Sequence, residues 1–280
     1  MVTNYISEVL KNMPIDWLNL TTHRLDIYNE SLAKTEFLEQ FENLFNANNS
    51  ETTALYNLPT AFDYIRLGHP LSSVLEWTIG KLHNVKAENV ISFSSSTTPI
   101  LAVLRKNLFE KKNTQIVYTN SLPNSFDIET IKRVYGYQFE VIKVDSISNI
   151  PEFNGSTIFI SKEENISNFN LASNIDFFIN YNAALGSIIL VNGNENYISE
   201  IQHVRRRETI AMTPANCLIA LESLINKTSV KTPSTNKKAD KKAVVKEINS
   251  VTNTTTKALV GSSGLSIQYA ILMGLIDNAI

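Results

Sequence analysis

Apolar residues along this chain recur with two periods, and the two periods alternate. Val9 and Leu10, then Leu32, Phe37, Leu38, Phe41, Leu44 and Phe45, return at helical spacing, so residues 1–47 read as helical. A polar break follows from Asn46 to Thr53. Leu71, Val74, Leu75, Ile79 and Leu82 share one face of a helix over residues 71–83. Pro70 stands just ahead of it, where the first turn tolerates a missing N–H. Short apolar runs then predict strands at 90–93, 115–118, 139–144, 157–160, 177–180 and 187–191. Helical stretches fall between the early ones, at 98–109 and 127–135. Strand–helix alternation of this kind predicts an α/β layer with a mostly parallel sheet.

After Gly193 the pattern turns helical, over 197–210 and 215–225. Thr213-Pro214 predicts a cap followed by proline at the first helical position of the second of these. Lys227 to Lys242 is rich in Lys, Thr and Ser and reads as a solvated linker rather than a nucleic-acid patch. Helices at 243–251 and 266–280 close the chain. The organisation is thus a helical arm (1–54), an α/β region (55–226), a polar linker (227–242) and a C-terminal segment (243–280).

The 280 residues include 43% hydrophobic and 19% charged side chains, which permits a packed core and argues against global disorder. A formal net charge of -2 supplies no overall positive field for nucleic acid or an acidic membrane surface. No apolar run reaches transmembrane length, and the first twenty residues lack a signal-peptide layout, so the cytoplasm is the expected compartment. The single cysteine, Cys217, excludes an internal disulfide and a cysteine-based metal cluster. It lies in an apolar helical run and reads as a buried, inert thiol. His23, His69, His83 and His203 show no ligand spacing and read as structural or surface residues, so no metal site is expected. Glu163-Glu164 reads as a solvated loop. Arg205-Arg-Arg207 reads as a helical solvent face, with a phosphate or an acidic partner surface as the alternative.

Four segments, in order, resemble the Cys/Met-metabolism (transsulfuration) family of pyridoxal-phosphate enzymes. Tyr64-Ile-Arg66-Leu-Gly-His69-Pro70-Leu-Ser-Ser-Val-Leu75-Glu76 is similar to the family's Tyr-Ser-Arg-x-Gly/Ala-Asn-Pro-Thr-x-x-x-Leu-Glu. Ile91-Ser-Phe-Ser-Ser95-Ser96-Thr97 is similar to Phe-Ser-Ser-Gly-Met. Asp176 to Leu190 is similar in frame to the lysine segment, Asp-hydrophobic-x-x-Ser-x-Thr-Lys-Tyr followed by Gly-Gly. Arg205 to Thr213-Pro214 and the helix ending Ala220-Leu-Glu-Ser-Leu224 resembles Ser-Pro-x-x-Ala…Leu-x-x-Gly-Leu. The match covers roughly residues 55–226. It implies a fold-type-I, transferase-like large domain with a helical N-terminal arm and a reduced C-terminal region.

The resemblance also shows what is missing. The family's lysine forms a Schiff base with the cofactor and moves the proton at the substrate's α-carbon. The frame places Ala184 there, and no lysine occurs between Lys162 and Lys227. The aspartate that pairs with the pyridinium nitrogen belongs to a strand unit that this chain lacks, because Phe159 to Glu164 runs almost directly to Asp176. Loss of that unit should expose an apolar sheet edge, to be covered by a partner or by the N-terminal helices. Proline, in Leu122-Pro123-Asn124-Ser125, replaces the tyrosine that stacks on the ring. The arginine that clamps the substrate carboxylate has no counterpart after Arg207, where Val260 to Gly264 is the candidate relic.

Five residues keep a cofactor-site resemblance. Ser95, Ser96 and Thr97 match the phosphate loop, where a helix start can still hold an anion. Tyr64 and Arg66 match the pair that reaches across a dimer to the neighbour's cofactor phosphate, or are ordinary residues left by descent. The expectation is a catalytically inactive relative with no cofactor, pyridoxal phosphate being the only one the resemblance would supply. It would act through homo-oligomers or hetero-oligomers with an intact relative, without nucleic acid or membrane. The alternatives are an active pyridoxal-phosphate lyase or synthase of sulfur amino acids, and a protein that binds a small phosphate ligand or serves as a scaffold.

Overall fold

A computed structural model describes residues 1–19, 30–59, 65–227 and 237–279. The arm contains α1 (Val2–Asn12), α2 (Glu30–Asn46) and the single-turn-and-a-half α3 (Thr52–Tyr56), with a 3₁₀ turn at Ile15–Leu18. α4 (Pro70–His83) then leads to the sheet. Its start follows from the sequence. The His69 imidazole accepts the Ser72 N–H, the Ser72 hydroxyl reciprocates at the His69 backbone, and Pro70 occupies the first turn. Asn84 ends the helix in the left-handed conformation. Every residue from Leu71 to Gly80 is buried, so α4 is a central helix rather than an amphipathic surface one.

The sheet has six strands: β1 (Val90–Phe93), β2 (Thr114–Tyr118), β3 (Glu140–Lys143), β4 (Ser156–Lys162), β5 (Phe177–Asn182) and β6 (Gly186–Val191). Their spatial order is β1-β6-β5-β4-β2-β3. The β2–β3, β2–β4 and β4–β5 pairings are parallel, while β6 runs antiparallel to both β5 and β1. The expected α/β layer with a mostly parallel sheet is therefore what the chain forms. α5 (Thr98–Glu110) and α6 (Ile128–Tyr135) are the crossover helices, and α7 (Ile198–Glu208) and α8 (Pro214–Asn226) follow the sheet.

Alternate residues of the central strands feed two separate cores, which is why these strands read as continuous apolar runs. Phe159, Phe178, Ile188 and Leu190 face the core shared with α1, α4 and α8. Ile158, Ile160, Phe177, Ile179 and Ile189 face the core shared with α5 and α7.

Residues 163–176 join β4 to β5 with neither helix nor strand. The two strands nevertheless pair directly, from Ile158 opposite Phe177 to Lys162 opposite Tyr181. The expected apolar edge at the missing unit does not arise, because the neighbouring strands close over the gap. The chain does not leave this link loose. Buried Asn180 donates to the carbonyls of Ile166 (3.3 Å) and Asn168 (2.5 Å), and Asn182 donates to that of Glu163 (3.2 Å).

Beyond the sheet, α9 (Lys237–Thr252) begins inside the stretch expected to be linker, so Lys237 to Lys242 are helical; residues 228–236 lie outside the described ones. α10 (Gly264–Ala279) rests on α6 and α7. Tyr269 packs 5.8 Å from Tyr135, Asp277 pairs with Arg133, and the Ser262 and Ser263 hydroxyls donate to the carbonyls of Glu208 and Arg207. None of the residues of α10 is buried.

Candidate functional site

The carboxyl ends of β1, β2, β4 and β5 meet at one edge of the sheet, and Ala184 and Ser95 to Thr97 sit there. Ala184 is in the tight turn between β5 and β6. Its N–H donates to the Asn182 side chain at 3.0 Å, and Asn216 at the start of α8 donates to the carbonyls of Ala184 (3.4 Å) and Leu185 (3.0 Å). Three hydrogen bonds to two asparagine side chains hold the turn, and the side chain at Ala184 is a methyl.

Gly186 ends that turn with φ +121, and a Cβ there would lie 2.1 Å from the Phe93 carbonyl oxygen. Only glycine lets β6 lie this close to the end of β1. The close approach brings the loop after β1 under β6, where the Ser187 hydroxyl donates to the Ser95 carbonyl at 2.5 Å.

Ser95, Ser96 and Thr97 form the turn from β1 into α5. The Ser95 hydroxyl points into the turn. It accepts from the Thr97 N–H (3.3 Å), the Thr98 N–H (3.1 Å) and the Thr98 hydroxyl (2.8 Å). Those two N–H groups belong to the first turn of a helix and are the donors an anion would use. Here a side chain of the loop itself satisfies them.

The neighbouring strand ends are closed in the same way. Tyr181 donates to the Ser121 carbonyl at 2.9 Å, and its hydroxyl lies 2.9 Å from that of Ser121. Asn120 donates to the Lys162 carbonyl at 3.1 Å. Pro123 is buried in the loop that follows. Lys162 is exposed at the end of β4. The turn at Ala184 offers no amine, and the loop amides at Thr97 and Thr98 are already bonded within the loop.

Of the remaining expected cofactor residues, Tyr64 lies outside the described residues. Arg66 is not at the Ser95–Thr97 turn. It stands on the wall of a separate groove of about 1360 Å³, bounded by α2, α4 and α7. Behind that groove is a charged cluster that the sequence did not announce. Glu76, 1% exposed, receives Lys34 Nζ on Oε2 at 2.6 Å and Arg205 Nη1 on Oε1 at 3.0 Å. The Ser92 N–H and hydroxyl also donate to Oε1, at 2.9 and 2.8 Å. Arg205 further donates to the carbonyls of Ser92 (3.1 Å) and Leu67 (2.7 Å). Burial alone would raise the Glu76 pKa, but Lys34 and Arg205 beside it hold it below the usual carboxylate value.

Arg205 is thus not on a solvent face, as its place in a run of three arginines had suggested. With Ile201 and Val204 it lies on the buried side of α7, 3% exposed, because a buried carboxylate waits there. Arg207, two positions on, is exposed. The one available hint was Glu76 itself, an acid between Leu75 and Trp77 in a largely apolar helix. His203 lines the groove, and burial lowers its pKa. Among the described residues no group of three or more His, Cys, Asp or Glu side chains could hold a metal ion. No helix among them is long and apolar enough to cross a membrane.

No protein-family model and no curated protein sequence matches the chain. Solved structures do resemble it in part. One is metB from Corynebacterium glutamicum, with a TM-score of 0.40 and 13% identity over 60% of this chain and 54% of that one. A second is cystathionine gamma-lyase from Lactobacillus plantarum complexed with L-serine, with a TM-score of 0.40 and 10% identity over 79% of this chain and 63% of that one. A third is metY from Campylobacter jejuni, which holds N'-pyridoxyl-lysine-5'-monophosphate, with a TM-score of 0.39 and 12% identity over 77% of this chain and 66% of that one. The chain spans between about half and two thirds of the length of these structures.

Proposed function

We propose that this chain is a catalytically inactive relative of the transsulfuration pyridoxal-phosphate enzymes, acting through association with itself or with an intact relative. Ala184 carries the proposal. It occupies the turn where the matching segment has its lysine, and a methyl group can neither form a Schiff base nor accept a proton. Three further features support the loss. The Ser95 hydroxyl satisfies the N–H groups of Thr97 and Thr98. Tyr181 bonds to Ser121, and Asn120 to the Lys162 carbonyl, across the strand ends. β4 and β5 pair directly where the aspartate-bearing unit would lie.

Association is supported by α10. Leu265, Ile271, Leu272, Leu275 and Ile276 of this helix are between 44% and 65% exposed. A helix apolar on all sides is ordinarily a buried one, and exposed apolar surface of this kind marks an interaction site. Sedimentation velocity at micromolar concentration tests this part. A dimer or larger species is expected, alone or with a catalytically intact family member added. A compact monomer under both conditions would contradict it.

A second reading, an active lyase or synthase, has one observation in its favour. Lys162 stands exposed at the carboxyl end of β4, one strand away from the turn that holds Ala184. The two readings separate on whether any single lysine forms a reducible adduct with pyridoxal phosphate. The reading as a phosphate-ligand protein is disfavoured at the Ser95–Thr97 turn by the bonding within that turn.

A further inference from the structure

We infer that the groove between α2, α4 and α7 is a binding site for a small organic anion, a carboxylate or phosphate on an apolar body, with its charged head against Lys34 and Arg205. The argument begins with charge. Lys34, Glu76 and Arg205 are 7%, 1% and 3% exposed, so three ionised groups are buried together. Two are cations and one is an anion. Among the described residues Glu76 is the only carboxylate that either cation pairs with. Buried charge is ordinarily compensated, because the cost of desolvating it is recovered only through a counter-charge. This cluster keeps one positive charge in surplus.

The surplus faces the groove. Both Lys34 and Arg205 line it, and Arg205 retains a buried Nε with no hydrogen-bond partner. An N–H left without an acceptor in a buried guanidinium is costly, and an incoming oxyanion would relieve it. The walls suit a molecule with an apolar portion, since Leu38, Trp77 and Val85 line the groove beside the cations. Four carboxylates also line the groove: Glu42 pairs with Lys81 and accepts from Trp77, while Glu39, Glu88 and Glu195 are exposed and so sit at its mouth rather than its floor. At about 1360 Å³ the groove exceeds the roughly 300–1,000 Å³ of ordinary ligand pockets, leaving room for a body beyond the head group.

This site is separate from the sheet edge that carries Ala184. Its evidence does not depend on whether that edge is active.

Isothermal titration of the full-length protein with octanoate, octyl phosphate and octanol tests the inference. Saturable one-site binding of at least one anion is expected, and the preferred anion identifies the head group. Octanol should bind at least tenfold more weakly, as one charge-assisted contact of about 1.4 kcal/mol implies. Lys34→Met is the informative variant. It leaves Glu76 paired with Arg205 and bonded to Ser92, so the buried cluster becomes neutral. It should fold with stability equal to or above that of the parent, while anion affinity falls tenfold or more. If that variant does not fold, Lys86→Glu replaces it, at an exposed position on the same groove. It should weaken the anion several-fold. Binding of octanol as tight as that of the anions, no binding of either anion, or undiminished affinity in the folded variant would each overturn the inference.

Discussion

His69 Nε2 donates to the Met212 carbonyl at 2.7 Å, while its Nδ1 accepts the Ser72 N–H at 3.1 Å. One imidazole thus caps α4 and ties that cap to the entry of α8, 143 residues away. The partners fix the neutral tautomer, with the proton on Nε2. Burial lowers the His69 pKa to about 4. Between the unfolded value of 6.5 and 4, the unfolded chain binds a proton that the native state does not, so stability rises with pH across that window. The protein should lose about 3 kcal/mol on passing from pH 7 to pH 4 through this residue alone. His69→Asn can still cap α4 and does not titrate. Urea denaturation at several pH values should therefore show a shallower acid loss for that variant, and an unchanged slope would remove His69 from the account.

Gly186→Ala should be severely destabilising. The backbone at φ +121 disfavours any side chain, and the added Cβ would lie 2.1 Å from the Phe93 carbonyl oxygen. A loss of at least about 2 kcal/mol is expected, from strain and overpacking together. Gly193→Ala is the matched comparison, because φ there is +69 but nothing lies within 4 Å. Equal thermal shifts for the two variants would show that close approach of β6 to β1 is not what requires Gly186.

Glu76→Gln removes the only counter-charge that Lys34 and Arg205 have among the described residues. Breaking a buried ion pair by deleting one partner costs about 3–5 kcal/mol. The variant should be poorly folded or melt far below the parent. Adding Lys34→Met in the same chain reduces the cluster from two uncompensated cations to one and should recover part of the loss, which chemical denaturation of single and double variants would measure.

Cys217 is fully buried in α8, with its thiol 3.5 Å from the Met212 carbonyl, and burial raises its pKa well above the ordinary value. A thiol-reactive disulfide such as DTNB should leave the native protein unmodified over hours and titrate one thiol after denaturation. Rapid reaction of the native chain would show that α8 opens locally.

The strands and most helices were legible in the sequence because each carries its own signal. Ile158 to Ile160 and Phe177 to Ile179 are apolar at every position because both sheet faces are covered. Thr213-Pro214 marks a helix start by local chemistry. The lack of any lysine between Lys162 and Lys227 was legible without coordinates. What stayed hidden depends on partners distant in sequence. Arg205 looks like the two arginines that follow it until Glu76, 129 residues earlier, is placed beside it. The occupied turn at Ser95 could not be foreseen either, because serine there is compatible with an open loop as well as a closed one. Lys237 to Lys242 read as linker because lysines carry no apolar period, although they favour helix intrinsically.

The most direct test of the central claim is pyridoxal phosphate added to the purified protein, reduced with borohydride, followed by intact mass and peptide mapping. The account predicts no stoichiometric adduct and at most scattered labelling of surface lysines, because no amine stands at the Ala184 turn. One full equivalent on a single lysine, Lys162 above all, would contradict it and return the chain to the active enzymes.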